Sequence, residues 1–214
     1  MKLRLILAVW ACKLAIVASR LLGKKGTSMP GQIAFKICPD MLRLLSRQVK
    51  KEIIVVCGTN GKTTTNNLLA SFIRSAGNRV VCNDVGANMI WGVCCSFAEK
   101  ANLFGKLKAD YACLEVDEAS TVHVFKHIKP DLMVITNLFR DQLDRYGTIE
   151  LTVDFLRRAL SLSPDTKLLL NGDDPLTAQF GEKTERKAYF VSVEEDAGVA
   201  ETAPVETPFC VFCG

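Results

Sequence analysis

Ile53-Ile54-Val55-Val56-Cys57 runs directly into Gly58-Thr59-Asn60-Gly61-Lys62-Thr63-Thr64, and the reading of this junction decides the fold. Five consecutive apolar residues, four of them β-branched, form the pattern of a strand buried on both faces, as in parallel sheets. Residues 62–76 then read as a helix that stops at Gly77-Asn78. A strand turning through glycines into a helix offers inward-facing backbone N–H groups and the positive end of a helix dipole to an anion. In such a loop Lys62 reaches the β and γ phosphates of ATP, and the Thr63 hydroxyl is placed for a magnesium ion. The full Walker A pattern wants a glycine five positions before Gly61, where this chain has Val56. The loop is therefore a shorter variant, and the strand before it and the helix after it carry the reading. Gly58, Thr59, Asn60, Gly61, Lys62, Thr63 and Thr64 are the expected nucleotide-binding residues.

Toward the C-terminus, strand patterns recur at 79–83, 111–116, 132–136 and 167–171, separated by helical patterns at 89–100, 120–128 and 152–161. This alternation predicts an α/β fold, a mostly parallel sheet with helices on both faces. Polar residues gather at the strand ends, where such sheets bind ligands. Cys113-Leu114-Glu115-Val116-Asp117-Glu118 supplies carboxylates, and Glu115 is the first choice for magnesium; Asp117 and Glu118 also suit the start of a helix, where acids cap and stabilise it. Thr136-Asn137 opens a charged loop in which Asp141 fits a second metal, the activation of a nucleophile, or a helix start. Asn171-Gly172-Asp173-Asp174-Pro175 puts Asn171 and Asp173 within the range of a nucleotide's ribose or base, although turn chemistry alone explains the same sequence.

Toward the N-terminus, residues 3–22 read as a helix, 23–31 as a Gly/Pro-punctuated turn and 33–49 as a second helix. Lys2 and Arg4 precede an apolar run at 5–12, and Ala18-Ser19 resembles a cleavage site, so the segment has a signal-like pattern. Lys13 interrupts it, and no apolar stretch reaches the roughly 20 residues that span a bilayer. The alternative is an amphipathic helix offering Lys2, Lys13, Arg20 and Lys24 to a membrane surface or a partner. Use of ATP favours a cytoplasmic location, with a peripheral approach to the inner face of the membrane left open.

The 214 residues suffice for one good core with a small appendage. A net charge of +4 with scattered basic residues gives no footprint for nucleic acid. Among nine cysteines, Cys57, Cys82, Cys94, Cys95 and Cys113 lie in apolar runs and read as small buried hydrophobes, whereas Cys210 and Cys213 have the C-x-x-C spacing of metal ligands. His123 and His127 share a helical face but lack the glutamate and third ligand of a zinc site, which points to packing or surface roles. No serine or cysteine nucleophile motif is evident. The expected organisation is an N-terminal helical segment at 1–50, an ATP-binding domain at 51–192 and a connection at 193–214 that ends in half a metal site.

Together these motifs resemble the Mur ligase superfamily: GTNGKTTT at 58–65, Glu115, the TN and DQLDRYG elements within 136–147, and NGDDP at 171–175. Within it the chain is most similar to the amidating subunits of lipid II isoglutaminyl synthase. That likeness extends to Gly26-Thr27, Pro30-Gly31-Gln32-Ile33-Ala34, Asn83 with Gly86-Ala87-Asn88-Met89, and Glu115-Val116-Asp117-Glu118. It covers most of residues 20–180 and implies the Mur ligase central-domain fold, ATP and Mg2+, with Lys62, Glu115 and Asp141 in catalytic roles. The reaction implied is phosphorylation of the D-glutamate α-carboxylate of lipid II, followed by ammonia displacing phosphate to leave D-isoglutamine. A GatD-like glutaminase partner would supply the ammonia. Cys210 and Cys213 match the first half of a four-cysteine zinc ribbon, which binds Zn2+ only with two further cysteines. Ligases acting on UDP-linked precursors carry a UDP-binding domain ahead of the loop, for which the 57 residues before Gly58 are too few. Two departures stand out: Gln142 where many members have a metal-binding histidine, and Arg157 and Arg158 where they have a carbamylated lysine. The resemblance also implies an N-terminal fragment without the ligase C-terminal domain. Its rivals are a folylpolyglutamate-synthase-like amino-acid ligase and a nucleotide-binding module that makes no bond.

Overall fold

A computed structural model describes residues 2–23, 28–83, 87–139, 149–182 and 184–193. The expected sheet is present. Six strands, β1 (Val49–Cys57), β2 (Val80–Cys82), β3 (Ala109–Glu115), β4 (Leu132–Ile135), β5 (Lys167–Asn171) and β6 (Ala188–Val191), pair in the order β2-β3-β1-β4-β5-β6, every pair parallel. β1 lies between β3 and β4, with Val56 opposite Glu115 on one side and Val134 on the other. A central position explains why its last five residues are all buried and all apolar.

Alternate β1 residues serve opposite faces, as the two-residue period of a strand requires. Ile54 and Val56 join a small cluster with Ala70 of α4 (Lys62–Ser75). Ile53, Val55 and Cys57 join a much larger cluster on the other face. That cluster holds α5 (Ile90–Lys100), α6 (Glu118–Phe125) and α7 (Ile149–Ser161), and also α1 (Lys2–Leu21), α2 (Ser28–Ile37) and α3 (Met41–Ser46). The short α8 (Pro175–Ala178) follows β5. Among the described residues no helix is long and apolar enough to cross a membrane.

Two readings of the sequence need correction, and one strand has no counterpart in them. Residues 28–31 are helical and not part of a turn: Pro30 occupies the first turn of α2, where its missing N–H costs nothing. Gly31 is there for contact, since a β-carbon would lie 1.8 Å from the Trp91 carbonyl oxygen, so α2 meets the start of α5 backbone to backbone. The helix expected at 33–49 breaks after Ile37, resumes as α3 and has already given way to β1 at Val49. Regular structure also continues past Phe180 into β6, an edge strand whose Tyr189, Phe190 and Val191 are exposed, so no alternating apolar pattern betrays it.

Candidate nucleotide-binding site

Because β3 and β4 flank β1, the segments leaving these three strands meet at one edge of the sheet, the usual ligand crevice of open α/β folds. Gly58 opens the loop with a φ of 123°, and a β-carbon there would lie 2.3 Å from Thr136 Oγ1 and 2.8 Å from the Asn137 carbonyl oxygen. Only glycine fits. The loop is tied to the end of β4 by Thr59 N–H donating to the Asn137 carbonyl (2.8 Å) and Asn60 N–H donating to Asn137 Oδ1 (2.8 Å). Asn137 Nδ2 and Thr136 Oγ1 both donate back to the Asn60 carbonyl, at 3.1 and 2.7 Å. Three of the loop's N–H groups, those of Gly58, Thr59 and Asn60, therefore have protein partners. At the start of α4, Gly61 precedes Lys62, Thr63 and Thr64, and a helix leaves its first N–H groups there without intrahelical acceptors, a geometry suited to an anion.

Lys62 is only 8% exposed. Its ammonium donates to the carbonyls of Gly58 and Thr59 and to Glu118 Oε1, 3.2 Å away. The same Glu118 oxygen accepts the Gly58 N–H at 2.9 Å. Glu118, 7% exposed, thus fastens the first residue of the loop and its lysine at once. Burial pushes its carboxyl above the usual glutamate range, with the Lys62 charge opposing the rise. Beneath the loop Cys57 is wholly buried, and burial raises its thiol too.

One residue further along, Thr63 Oγ1 donates to Glu115 Oε2 at 2.8 Å. Glu115 is 3% exposed at the last position of β3. Asn83, just beyond β2, holds it there: Asn83 Oδ1 accepts the Glu115 N–H (2.8 Å), while Nδ2 donates to the carbonyls of Glu115 (2.7 Å) and Ala87 (3.0 Å). The side-chain amide thereby continues the β2-β3 pairing after the β2 backbone has left. A hydroxyl and a carboxylate side by side at the entry of a phosphate loop are hard oxygen donors, and their chemistry fits magnesium, which needs few protein ligands when phosphates and water supply the rest.

The turn after β5 differs. Asp173 N–H donates to Asn171 Oδ1 (3.0 Å), and an Asp173 carboxylate oxygen accepts the Val193 N–H (2.9 Å). Asp174 caps α8 through the Leu176 N–H (3.1 Å) and also accepts the Leu138 N–H (2.9 Å). Asn171 and Asp173 thus stand at the predicted sheet edge with turn partners of their own. His127 lies beyond the end of α6 and packs edge to face on Phe35, ring centroids 5.3 Å apart, so the helical His123/His127 face is not formed. The five cysteines read as core residues are buried, and burial pushes the Cys113 thiol up to about 11. Asp141, Gln142, Cys210 and Cys213 lie outside the described residues. Among the described residues no group of three or more His, Cys, Asp or Glu is placed to hold a metal.

Two residues that build this site were undervalued or missed in the sequence. Glu118 stood third in the acidic run behind Glu115. Asn137 was visible as the end of a strand and as part of the TN element, without a role of its own. The signal for Glu118 was available, since a buried lysine in a phosphate loop requires a counter-charge when no ligand is bound.

Fold and loop together define an α/β domain of the phosphate-loop type, and residues 56–208 match the family model described as the Mur ligase middle domain. The chain belongs to the Mur ligase family. It is 37% identical over 207 residues, 97% of its length, to the lipid II isoglutaminyl synthase (glutamine-hydrolyzing) subunit MurT of Staphylococcus aureus, covering 46% of that protein. It is 41% identical over 153 residues, 71% of its length, to the MurT subunit of Streptococcus pneumoniae, covering 33% of it. The chain therefore spans less than half the length of these relatives. Among solved structures, MurF ligase from Thermotoga maritima in complex with ADP superposes with a TM-score of 0.62 at 19% identity, covering 74% of this chain and 36% of that one. MurF from Acinetobacter baumannii gives 0.61 at 20%, covering 74% and 34%. These two likenesses concern the fold.

Proposed function

We propose that this chain is the ATP-binding part of an enzyme that amidates the D-glutamate α-carboxylate of lipid II, with ammonia delivered by a GatD-like glutaminase. The observation that carries the reading is the 37% identity across 97% of the chain to a protein named as the MurT subunit of a lipid II isoglutaminyl synthase. The site's geometry supports the ATP half of the chemistry. The start of α4 receives the phosphates, and Lys62 exchanges its loop carbonyls for phosphate oxygens while Glu118 keeps the ammonium aimed. Thr63 and Glu115 are the residues that would hold magnesium, which supplies charge neutralisation on the phosphates when bound. The carboxylate oxygen of the acceptor attacks the γ-phosphorus and ADP departs, giving an acyl phosphate. Ammonia then adds at the acyl carbon and inorganic phosphate leaves, forming the amide. Lys62 counters the negative charge that spreads over the transferring phosphoryl group.

The test is to express the full-length gene product with a GatD-like glutaminase and follow 15N from the glutamine side-chain amide. Label in the stem-peptide α-amide of lipid II is the expected result. Ligation of an amino acid without label from ammonia would move the protein to the amino-acid ligases of the family. ATP binding with no acceptor modified at all would leave a nucleotide-binding module.

A further inference from the structure

α1 is apolar on two sides. Its inner residues Leu5, Ala8, Val9, Cys12 and Ile16 belong to the core. Its outer residues Leu3, Leu7, Trp10, Leu14, Val17 and Leu21 are each between 48% and 83% exposed. Their spacing alternates four and three, which places all six on one stripe of the helix. Beside it the turn after α5 presents Leu103 and Phe104, 54% and 74% exposed. This turn is stiff: Asn102 Oδ1 accepts the N–H groups of Phe104 and Lys106, both at 2.9 Å. Trp10 Nε1 donates to the Leu103 carbonyl at 2.7 Å, which joins stripe and turn into one surface.

Apart from Glu99, which is paired with Arg20, the charges around this surface have one sign. Residues 2–21 contain Lys2, Arg4, Lys13 and Arg20 and no acidic residue, and exposed Lys100 and Lys106 bracket the turn. Glu99, at the end of α5, is already engaged: its carboxylate pairs with Arg20 at 2.7 Å and its carbonyl accepts from Lys13 at 2.7 Å. A helix seam for a protein partner interleaves both signs at its margins. Leucine and tryptophan bordered by an excess of cations complement a bilayer rich in anionic headgroups. We infer that α1 and the 102–105 turn dock on an anionic membrane surface, the helix lying in the plane of the headgroups with its outer stripe and Phe104 facing the acyl boundary. The inference stands apart from the amidation reading, because it needs neither ATP nor the acceptor.

The experiment is co-sedimentation of the full-length gene product with vesicles of phosphatidylcholine alone or with about a quarter phosphatidylglycerol. Binding is expected to rise at least ~10-fold with phosphatidylglycerol and to weaken with salt. The Leu7→Glu/Leu14→Glu double variant is expected to lose it while keeping its affinity for Mg-ATP, which also reports that the site is folded. Phe104→Ser, on an exposed turn, is a second probe that leaves the helix intact and is expected to weaken binding several-fold. With every tryptophan except Trp10 replaced by phenylalanine, the Trp10 emission should shift to the blue only with anionic vesicles. Any of three results overturns the proposal: no preference for phosphatidylglycerol, equal sedimentation of the wild type and all variants, or a wild-type dimer that the double variant dissociates, which would assign the surface to a second copy. Amidation measured in detergent-solubilised lipid II is independent of all three.

Discussion

The turns after β1 and after β5 leave the same sheet, are both rich in glycine and asparagine or aspartate, and use those residues in opposite ways. After β1 the polar groups reach across strands: Glu118 to Gly58 and Lys62, Asn137 to Asn60, Glu115 to Thr63. After β5 they mainly hold backbone: Asn171 serves Asp173, Asp174 serves the start of α8 and the Leu138 N–H, and Asp173 takes the Val193 N–H. A ligand site is built from groups that different strands aim at one place; a turn is built from groups that satisfy their neighbours. Sequence motifs of similar look therefore differ in what they bond.

Lys62→Ala tests the first turn most severely. It is expected to lower ATP affinity by at least about 100-fold in calorimetric titration. It also strands a buried carboxylate, which costs about 3 kcal/mol in urea unfolding. Lys62→Ala/Glu118→Gln should recover most of that stability and none of the affinity, and full ATP affinity in either variant would remove Lys62 from the site.

Glu118 also gives the turn a pH signature. Its native carboxyl lies above the unfolded glutamate value of about 4.3. In the window between the two values the folded chain holds more protons than the unfolded one, so stability falls as pH rises. Glu118→Gln should flatten that part of the stability profile; an unchanged slope would show that the carboxyl titrates normally.

Thr63→Val is smaller in effect, with an expected loss of about 1–2 kcal/mol from the unpaired Glu115 oxygen and about 10-fold in Mg-ATP affinity. The metal-free ATP affinity should change little, which separates a magnesium role from simple packing. In the second turn, Asp174→Ala removes a helix cap and should cost about 1 kcal/mol, seen as a melting temperature lower by about 2–4 °C, with ATP affinity retained. Asp173→Asn should stay within about 0.5 kcal/mol and leave ATP binding alone. A tenfold loss of affinity there would erase the contrast between the turns and make the β5 end part of the nucleotide site.

Much of the fold was legible because its central strands are buried on both faces. The run 53–57 and the helix after it follow from local pattern, and β5 matches its expected bounds of 167–171. What was hidden depends on partners distant in sequence. Gly31 looks like a turn residue until Trp91 is placed against it, and β6 has no buried face to show. In the site, Lys62, Thr63 and Glu115 could be named because their chemistry is local to a strand end. Glu118 and Asn137 gained their weight only from the side-by-side placement of β3, β1 and β4, which sequence spacing does not encode.

The contacts of α1 also set an order of events during synthesis. Trp10 and Lys13 meet partners 93 and 86 positions later in the chain. The first helix emerges from the ribosome well before α5 exists to receive its inner face. Until then the inner face of α1 has only α2 and α3 to pack against, and long-range closure of this kind is slow compared with local helix formation. The nascent chain thus passes through a stage in which α1 is only partly covered, and a chaperone or a nearby surface can reach it before α5 does.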